Sequence, residues 1–581
     1  MRRRARAMSR RLSAYLLLAA LASTGAVAGW VYVGALESRA ELSLVRADMV
    51  EADWQATRAR LEAVAGSIGA RRGAVAGLAV IEALTAEVDE PSFTGVEVRD
   101  LASFPIGLVL QRALSEERYA GCLRLVALLR RAGAPAFPEF EAAALLELGR
   151  PELARAVALP PAPRTRVREA LAAVFAGDLG DVLVRDREGA LLGKARLSAA
   201  GGFRFTPEPG VEAALVPAPA IAGLSSVLPA RSVRLTVDRR MSEMALRALG
   251  PYRGSIVVVD PDDGSVLAAV SDRRTTAEGG APALEQMREP ASIAKLITVT
   301  AALRAGHDVD AIFHDMTCRG SMRFADGADG VLYCAAVNGR LRGLDRALAV
   351  SCNVAFAHLG ELVGREALLE EYRRYGFGFE GDAERFFGKV LVPQGSPRQL
   401  GDLSIGLEAT SITPVHAALE AATVANGGWM HPPRLYRSTD TFLGFSERSL
   451  PAPEGWQVLD ASWRPQLTRA MVAVAQPGGT AARIAPESFP VALKTGTASE
   501  PASGFHVNYI GFGPVPNARY AFAVRVTHQP SSRRVRNAAF TVTRRFLEGL
   551  ARADSRRPVP PPARRETLMA NLGGHAAGGS K

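Results

Sequence analysis

Lysine is scarce in this 581-residue chain: of 70 basic residues, only five are lysine and the rest are arginine. The five are Lys194, Lys295, Lys389, Lys494 and Lys581. Arginine stays protonated at any working pH, whereas a desolvated lysine can lose its proton and take part in proton transfer. A chain that otherwise uses arginine needs a reason to keep lysine, and Lys295 and Lys494 are therefore candidates for catalysis.

Net charge is nearly absent from the body of the chain. The formal charge is +11, of which residues 1–11 carry +6 and residues 551–581 carry +4, so only +1 remains for residues 12–550. A nucleic-acid-binding domain needs a basic surface on its folded part. We therefore expect no nucleic-acid partner.

Charged residues are missing altogether from positions 12–36, directly after six arginines. An apolar run of this length can form a helix across a bilayer, and the arginine cluster is expected to stay in the cytoplasm. The sequence thus predicts a cytoplasmic tail at 1–11, a single transmembrane anchor at 12–36 in the cytoplasmic (inner) membrane, and a periplasmic or equivalent outer location for the rest. Ala-Val-Ala at 26–28 also fits a cleavage site, so a removable signal peptide is the alternative.

Cysteine is rare as well, with four residues in the chain. Export would permit disulfides. Cys318 and Cys334 lie sixteen residues apart in a Gly- and Asp-rich segment, and this spacing leaves open either a disulfide that closes a loop or two unpaired buried thiols. Cys122 falls in an apolar helical pattern and is predicted to fill a core. No His-Cys ligand cluster suggests a metal.

The remaining pattern divides the chain into a helical part, a short β part and a larger mixed part. A mainly helical N-terminal domain is predicted at 37–175, with helical periodicity at 44–68, 110–131 and 140–157 and no fixed repeat period. A small β connector follows at 176–229, with strands at 181–187 and 202–205. The Pro-, Arg- and Gly-rich tail at 553–581 is predicted to be disordered.

Between these, residues 230–552 alternate helical and strand patterns. The runs 255–259 and 265–270 flank Asp-Pro-Asp-Asp-Gly and predict a hairpin. A strand at 233–237 precedes them, and a strand at 521–526 and a helix at 538–551 close the region.

One pair of residues in this region suggests covalent chemistry. Ser292 precedes Lys295 by three positions, ahead of an apolar stretch of helical character, and one helical turn brings two such side chains together. A serine hydroxyl is a poor nucleophile until a base takes its proton, and an amine of lowered pKa can do so. Ser-x-x-Lys alone is a short and common pattern, so further motifs are needed to identify it as a catalytic site.

Two further segments follow in order: Ser-Cys-Asn at 351–353 and Lys-Thr-Gly-Thr at 494–497. The order Ser-x-x-Lys, Ser-x-Asn, Lys-Thr-Gly resembles that of the serine penicillin-recognising enzymes, and the spacings of 59 and 143 residues resemble those of a class B-like penicillin-binding protein transpeptidase domain. The hairpin at 254–271 and the segment at 404–428 add to this resemblance, which covers about residues 230–550. It implies an α/β (α+β) fold in which an antiparallel sheet packs between helices.

The resemblance also implies roles for individual residues. Ser292 would be the acylated nucleophile and Lys295 its base, with part of the proton transfer falling to Ser351, while Lys494 would supply positive charge beside Ser351 and the substrate carboxylate. The implied substrate-binding residues are Asn353 for an amide, Thr495 and Thr497 for the carboxylate, and Gly496 for close approach of the substrate to the strand. Backbone N–H groups of Ser292 and Thr497 would form the oxyanion hole.

The implied reaction is D,D-transpeptidation of peptidoglycan stem peptides: Ser292 attacks a D-Ala-D-Ala bond, D-Ala leaves, and an amine of a second stem resolves the acyl-enzyme. This acyl transfer calls for neither a metal nor an organic cofactor, so no cofactor is expected. β-Lactams would be acylating inhibitors, and a cell-wall synthesis complex is an expected partner. The alternatives are a β-lactamase or β-lactam sensor, a D,D-carboxypeptidase, and an inactive scaffold homologue. The segment after Asn353 lacks the deacylating Glu pattern of a β-lactamase, and Glu366, Glu370 and Glu371 are predicted to form a solvated helix face.

Two positions depart from the family pattern. Asn338-Gly339 stands where relatives often show His-Gly, and Asn508-Tyr509 stands where many carry an aromatic pair or Trp. These changes put substrate positioning in question. Residues 184–189 resemble the class B pedestal only faintly, and a second, glycosyltransferase activity is not expected from residues 37–225.

Overall fold

The computed structural model describes residues 53–159 and 181–555, together with residues 41, 42, 45, 49 and 171. The gaps within these stretches are 67–69, 87–95, 102–103, 135–136, 149, 198–201, 228–229, 279, 325–329, 392–395, 408, 441–446 and 501–503. The predicted anchor at 12–36 and most of the predicted tail lie outside the described residues. Within the described part, none of the helices combines the length and apolarity that a membrane span requires.

The N-terminal region is helical and has a hydrophobic core of its own. Its described helices are Trp54–Ala65, Arg71–Thr85, Val98–Leu101, Ile106–Ser115, Tyr119–Arg131, Pro138–Glu147 and Pro151–Ala156. Cys122 is fully buried in this core, as predicted.

Two stretches of this region that were each predicted to be one continuous helix are interrupted. The stretch 110–131 breaks at 116–118, where Glu117 takes a left-handed φ of 59°. The stretch 140–157 breaks before Pro151, because a proline ring lacks the N–H that a helix interior needs and begins a new helix instead. Apolar periodicity continues across both breaks, which is why periodicity alone did not detect them.

A six-stranded sheet joins the predicted connector to more distant parts of the chain. Its order is Glu447–Ser449, Tyr436–Asp440, Ser232–Leu235, Asp181–Arg185, Leu191–Leu197 and Phe203–Pro207. Asp181–Arg185 pairs with Ser232–Leu235 in parallel, and the other pairs are antiparallel. The sheet therefore draws strands from both sides of residue 229.

The five-stranded antiparallel sheet formed within residues 230–552 matches the expected fold. Its order is Ala492–Glu500, Gly504–Gly513, Tyr520–Gln529, Gly254–Val259 and Val266–Ser271, which confirms the predicted hairpin and closing strand.

Helices cover both faces of this sheet, because neighbouring residues of a strand point to opposite faces. Phe522 packs its ring against Phe546 of the helix Ser532–Asp554. Arg525, an odd number of residues further on, donates to the carbonyl of Ile412 just before the helix Pro414–Ala425.

The remaining elements surround this sheet. The helices are Ala218–Ala222, Arg239–Leu249, Arg273–Ala277, Pro282–Glu285, Lys295–Arg304, Val309–His314, Leu344–Ala349, Asn353–Val363, Arg365–Arg374, Pro397–Ser404 and Arg464–Ala475, with 3₁₀ turns at Ala213–Leu215, Gly223–Val227, Ala291–Ala294, Glu384–Phe386 and Ala461–Trp463. Short ladders pair Thr317–Cys318 with Gly339–Arg340, Ser321–Arg323 with Val331–Tyr333, Lys389–Val390 with Thr410–Ser411, and Trp429–Met430 with Trp456–Gln457.

One surface prediction needs correction. Glu366 and Glu370 are exposed, but Glu371 is only 1% exposed and forms an ion pair with Arg304 at 2.7 Å. A buried carboxylate requires such a partner. Glu371 thus belongs to the packing between the helices Lys295–Arg304 and Arg365–Arg374.

Candidate active site

Ser292 lies in a 3₁₀ turn, Ala291–Ala294, that leads directly into the helix Lys295–Arg304. The backbone enters this turn through Ala291, whose φ of 53° is left-handed and whose N–H donates to the carbonyl of Gly406 at 2.8 Å. Strained backbone of this kind persists only where the surrounding structure holds it, and it is concentrated at functional sites. Ser292 is partly exposed, while Lys295, one turn later, is fully buried.

The amine of Lys295 connects the nucleophile's helix to the Ser-x-Asn segment. Its Nζ lies 2.8 Å from the Ser351 carbonyl oxygen, 3.1 Å from Ser351 Oγ and 2.7 Å from Asn353 Oδ1. Burial disfavours the charged ammonium and lowers the pKa of Lys295 to about 7. Lys295 can therefore exist as a free amine at neutral pH, as a general base requires.

Ser351 Oγ also accepts a hydrogen bond from the second buried lysine, Lys494. The Nζ of Lys494 lies 2.9 Å from Ser351 Oγ and 2.7 Å from the carbonyl oxygen of Thr495. Burial, followed by the charge of Lys295, holds the pKa of Lys494 well below its usual value. Like Ala291, Ser351 has a left-handed φ of 53°. One hydroxyl thus joins two buried lysines that come from distant parts of the sequence.

The Lys-Thr-Gly strand packs directly against the nucleophile's turn. A side chain on Gly496 would place its Cβ 2.7 Å from the carbonyl oxygen of Pro290 and 3.2 Å from the N of Ser292. Glycine is therefore needed for the approach of strand and turn, while close approach of the substrate at Gly496 stays a prediction. This contact puts the backbone N–H of Ser292 beside the strand that carries Thr497.

The threonines of the strand are partly exposed, as residues that contact a substrate should be. Thr495 Oγ1 lies 2.9 Å from Thr480 Oγ1, and the Thr480 N–H donates to the carbonyl of Ala349 at 2.9 Å. Asn353 is held by Lys295 and by its own amide, which donates to the carbonyl of Tyr333 at 2.9 Å. The structure thus brings the predicted site residues of all three motifs into one region.

Asn508, which the sequence raised as a departure from the family pattern, supports the turn that holds Ser292. Its amide Nδ2 donates to the carbonyls of Glu289 and Pro290 at 3.3 Å each, and its Oδ1 accepts from Nε of buried Arg525 at 2.7 Å. Asn508 is opposite Gly496 in the strand pairing. Its role is to position the residues just before Ser292, and no local sequence signal indicated it.

Glu420 is a second buried group that the sequence did not indicate. It is 0% exposed on the helix Pro414–Ala425, and neither carboxyl oxygen has a hydrogen-bond partner among the described residues. Burial raises the pKa of Glu420 well above its usual value, and the nearby charge of Lys494 opposes that rise. A buried carboxyl thus lies within electrostatic range of the second lysine.

Three cysteines meet on the other side of the Ser-x-Asn segment. Cys334 Sγ lies 3.6 Å from Cys318 Sγ and 3.6 Å from Cys352 Sγ, and none of these thiols is bonded to another. Of the two alternatives left open for Cys318 and Cys334, the structure has the unbonded pair, with Cys334 only half-buried. The third member, Cys352, was hidden in the sequence as the variable residue of Ser-x-Asn.

Comparisons with known proteins agree with this geometry. The family described as the penicillin binding protein transpeptidase domain matches residues 254–547. Penicillin-binding protein PbpB of Mycolicibacterium smegmatis is 28% identical over 334 residues, which are 50% of this chain and 50% of that protein. Peptidoglycan D,D-transpeptidase PbpA of Mycobacterium tuberculosis is 27% identical over 344 residues, 51% of this chain and 67% of that protein.

Solved structures share the fold. The D,D-transpeptidase domain of a peptidoglycan glycosyltransferase from Eggerthella lenta superimposes with a TM-score of 0.55 at 20% identity and covers 64% of this chain and 98% of its own. Penicillin binding protein 3 of Mycobacterium tuberculosis gives 0.54 at 21% identity, covering 66% and 98%. With the family matching half of the sequence and the three motifs assembled around Ser351, the chain belongs to the penicillin-binding protein transpeptidase family.

Proposed function

We propose that this protein is a peptidoglycan D,D-transpeptidase that cross-links stem peptides through an acyl ester on Ser292. The observation that carries the proposal is the placement of Lys295 and Lys494, both fully buried, on the single hydroxyl of Ser351. Peptidoglycan D,D-transpeptidase PbpA of Mycobacterium tuberculosis is among the relatives. Penicillin-binding protein A of that organism has been solved as an imipenem acyl-enzyme, which supports β-lactams as inhibitors here.

Burial favours a neutral amine at Lys295. The Ser351 carbonyl and Asn353 Oδ1 can only accept, so they take both N–H groups of a neutral amine, and the lone pair is then left for the hydroxyl of Ser351 at 3.1 Å. That lone pair can take a proton from a serine hydroxyl. Two ammonium groups on one hydroxyl would repel each other, so the buried pair favours a state with at least one free amine.

Proton transfer follows from this arrangement. Lys295 removes the proton from Ser292 as Ser292 attacks the D-Ala-D-Ala carbonyl. The proton then passes through Ser351 Oγ to the departing D-Ala amine, because Ser351 is within hydrogen-bond reach of both lysines. The acceptor amine of a second stem peptide reverses these transfers and releases the cross-linked product.

The Lys494 strand supplies the binding surface. Its contact with the Ser292 turn supports an oxyanion hole formed by backbone N–H groups of Ser292 and Thr497. Thr495 and Thr497 are exposed enough to meet a substrate carboxylate. Asn353, held by Lys295 and Tyr333, is proposed to contact an amide of the substrate.

We also propose that residues 12–36 anchor the chain in the inner membrane, with the catalytic domain outside it. The uncharged run and the arginines before it support this location. Peptidoglycan as substrate requires the same side of the membrane, and a cell-wall synthesis complex is the expected setting.

The test uses the full chain purified in detergent. Fluorescent penicillin should label the wild type and the control Ser225→Ala, whose serine is exposed, but not Ser292→Ala. A D-Ala-D-Ala peptide should then release D-Ala and, when an acceptor peptide is present, give the cross-linked dimer.

Three results would oppose the proposal. Release of D-Ala without dimer at any acceptor concentration indicates a carboxypeptidase. Rapid turnover of the penicillin label indicates a β-lactamase. Equal labelling of Ser292→Ala and the wild type removes Ser292 as the nucleophile.

A further inference from the structure

Three cysteines from separate segments converge behind the Ser-x-Asn motif. Cys318 ends the short strand Thr317–Cys318, Cys334 follows the strand Val331–Tyr333, and Cys352 lies between Ser351 and Asn353. Their sulfur atoms all lie within 4.8 Å of one another. The sulfur atoms make none of the hydrogen bonds that join Ser351 to the two lysines, although Cys334 and Cys352 lie within electrostatic range of Lys295. An inference about metal binding by the thiols does not rest on the proposed acyl transfer.

The separations suit three ligands of one metal ion. Thiolates bound at about 2.3 Å in tetrahedral or trigonal geometry lie roughly 3.8–4.0 Å apart. Cys334 Sγ is 3.6 Å from both Cys318 Sγ and Cys352 Sγ, and the 4.8 Å limit on the third pair leaves about 1 Å of adjustment. Sulfur ligands select Zn²⁺ or Cu⁺ among the common ions.

The sulfurs also have N–H donors of the kind that support metal-bound thiolates. Cys318 Sγ accepts from the backbone N–H of Gly320 at 3.4 Å and from Nδ2 of Asn338 at 3.7 Å. Cys334 Sγ accepts from the N–H of Val354 at 3.4 Å, in the first turn of the helix Asn353–Val363. These donors stabilise negative sulfur before any ion binds. Asn338, noted in the sequence as a departure from the family, thus has a role at this cluster.

A disulfide explains the cluster less well. An S–S bond is about 2.05 Å long, and Cys334 is equally far from both neighbours, so the geometry selects neither pair. Any disulfide also leaves one thiol unused, whereas a metal ion uses all three. Cys318 and Cys352 are fully buried and Cys334 is half-buried, so an ion would enter from the Cys334 side.

We propose that Cys318, Cys334 and Cys352 bind one thiophilic metal ion, Zn²⁺ or Cu⁺, through three thiolates. Each thiol that starts protonated gives up its proton on binding, and no electron transfer is required. No His or carboxylate joins the group among the described residues, so Zn²⁺ takes water as its fourth ligand and Cu⁺ stays three-coordinate. The ion fixes Cys352 and, through it, the backbone of Ser351 and Asn353.

The experiment uses the full chain in detergent, reduced, freed of metal and kept under nitrogen. Zn²⁺ and Cu⁺ are added separately in the presence of a coloured competing chelator, and Co²⁺ serves as a spectroscopic probe for the Zn²⁺ site. We expect one ion per chain, an intense sulfur-to-cobalt charge-transfer band in the near ultraviolet, and strong visible bands typical of four-coordinate cobalt.

Variants locate the site. Cys318→Ser and Cys352→Ser should each weaken binding by at least about 100-fold, more than the loss of a supporting group costs, while Cys122→Ser, at a buried thiol in the other core, should bind as the wild type does. Circular dichroism checks the fold. If Cys352→Ser fails to fold, Cys318→Ser still tests the proposal. Cys318 lies in a strand of only two residues, where we expect the substitution to be tolerated.

Two results overturn the proposal. The first is that the wild type binds no metal, or that both variants bind metal as tightly as the wild type does. The second comes from thiol titration of the chain prepared in air and then denatured. If only two of the four thiols react, and the other two react only after a reductant is added, the chain contains a disulfide.

Discussion

The segment 351–353 separates two pockets of opposite chemistry. On one side, Lys295 and Lys494 meet at the hydroxyl of Ser351, where burial weakens their hold on protons. On the other, Cys352 meets two further thiols, and N–H donors at Cys318 and Cys334 favour negative sulfur there. In our proposals, the lysine pocket carries out proton transfer, and a metal ion in the thiol pocket fixes the backbone of Ser351 and Asn353. On this account, neighbouring residues of one motif serve chemistry and position separately.

The largest expected effect is on the rate of acylation, and it comes from substituting Lys295 rather than an exposed lysine. Lys295→Arg keeps the charge but removes the base, because a guanidinium cannot lose its proton. The rate constant for acylation by penicillin should fall by about 1,000-fold, within the range of general-base catalysis. The same substitution at exposed Lys389 is the control and should change the rate by less than about twofold. A Lys295→Arg enzyme within tenfold of the wild type would contradict the comparison.

The pH dependence should follow the lysine pocket. With the pKa of Lys295 lowered to about 7 by burial, the free amine is the minor form below pH 7 and the major form above it. The acylation rate constant should therefore rise about 30-fold from pH 5.5 to a plateau above pH 7.5. Stopped-flow measurement of penicillin fluorescence tests this, and a flat profile across that range would remove Lys295 as the base.

Changes in the thiol pocket should affect stability more than proton transfer. Cys352→Ala leaves a small cavity, so the free energy of unfolding should fall by about 1–2 kcal/mol, and acylation should fall by less than about tenfold. Because burial lowers the pKa of Lys295 and Cys352 opposes this electrostatically to a smaller extent, the midpoint of the pH profile should move to lower pH. Cys122→Ala, the matched buried thiol, should have a similar stability cost without any effect on acylation. A midpoint that moves to higher pH in Cys352→Ala would contradict this electrostatic effect of Cys352 on Lys295.

Substitution of Glu420 should have the smallest effect on acylation, but it should change how the free energy of unfolding depends on pH. Its folded pKa is raised by burial, so between the unfolded value near 4.5 and the higher folded value the folded state binds more protons than the unfolded state. Stability from this group is therefore lost as pH rises above 4.5.

Glu420→Gln removes that loss. Urea unfolding should show the variant gaining at least about 1 kcal/mol relative to the wild type between pH 4.5 and 7, with acylation changed by less than about threefold. A variant that loses stability as pH rises would show instead that Glu420 is an ionised partner of Lys494.

Local patterns predicted the elements that carry the chemistry. Ser292 and Lys295 are one turn apart, Lys494 lies on a strand readable from its apolar neighbours, and the hairpin at 254–271 has a strong turn signal. These features depend on residues close in sequence, and the structure has each of them. Continuity of the N-terminal helices was harder, because the break at 116–118 contains neither Gly nor Pro.

Contacts between distant segments could not be predicted in this way. The thiol cluster joins residues 16 to 34 positions apart through short loops, and Asn508 reaches the Ser292 turn across 218 positions. Strand Tyr436–Asp440 pairs with Ser232–Leu235 and, on its other side, with Glu447–Ser449, and no local pattern indicates the first of these pairings. Glu420 lay in an apolar helical run, where a single acid would be expected to face solvent. Tertiary packing determined all four.

The most direct test is to find where the acyl group resides. The full chain is mixed with penicillin, quenched in acid and digested, and the peptides are mapped by mass spectrometry. We predict a single penicilloyl adduct on the peptide that contains Ser292, formed in the Cys352→Ala variant but not in Lys295→Arg over the same time. An adduct on another serine, or one formed equally fast without Lys295, would contradict the account.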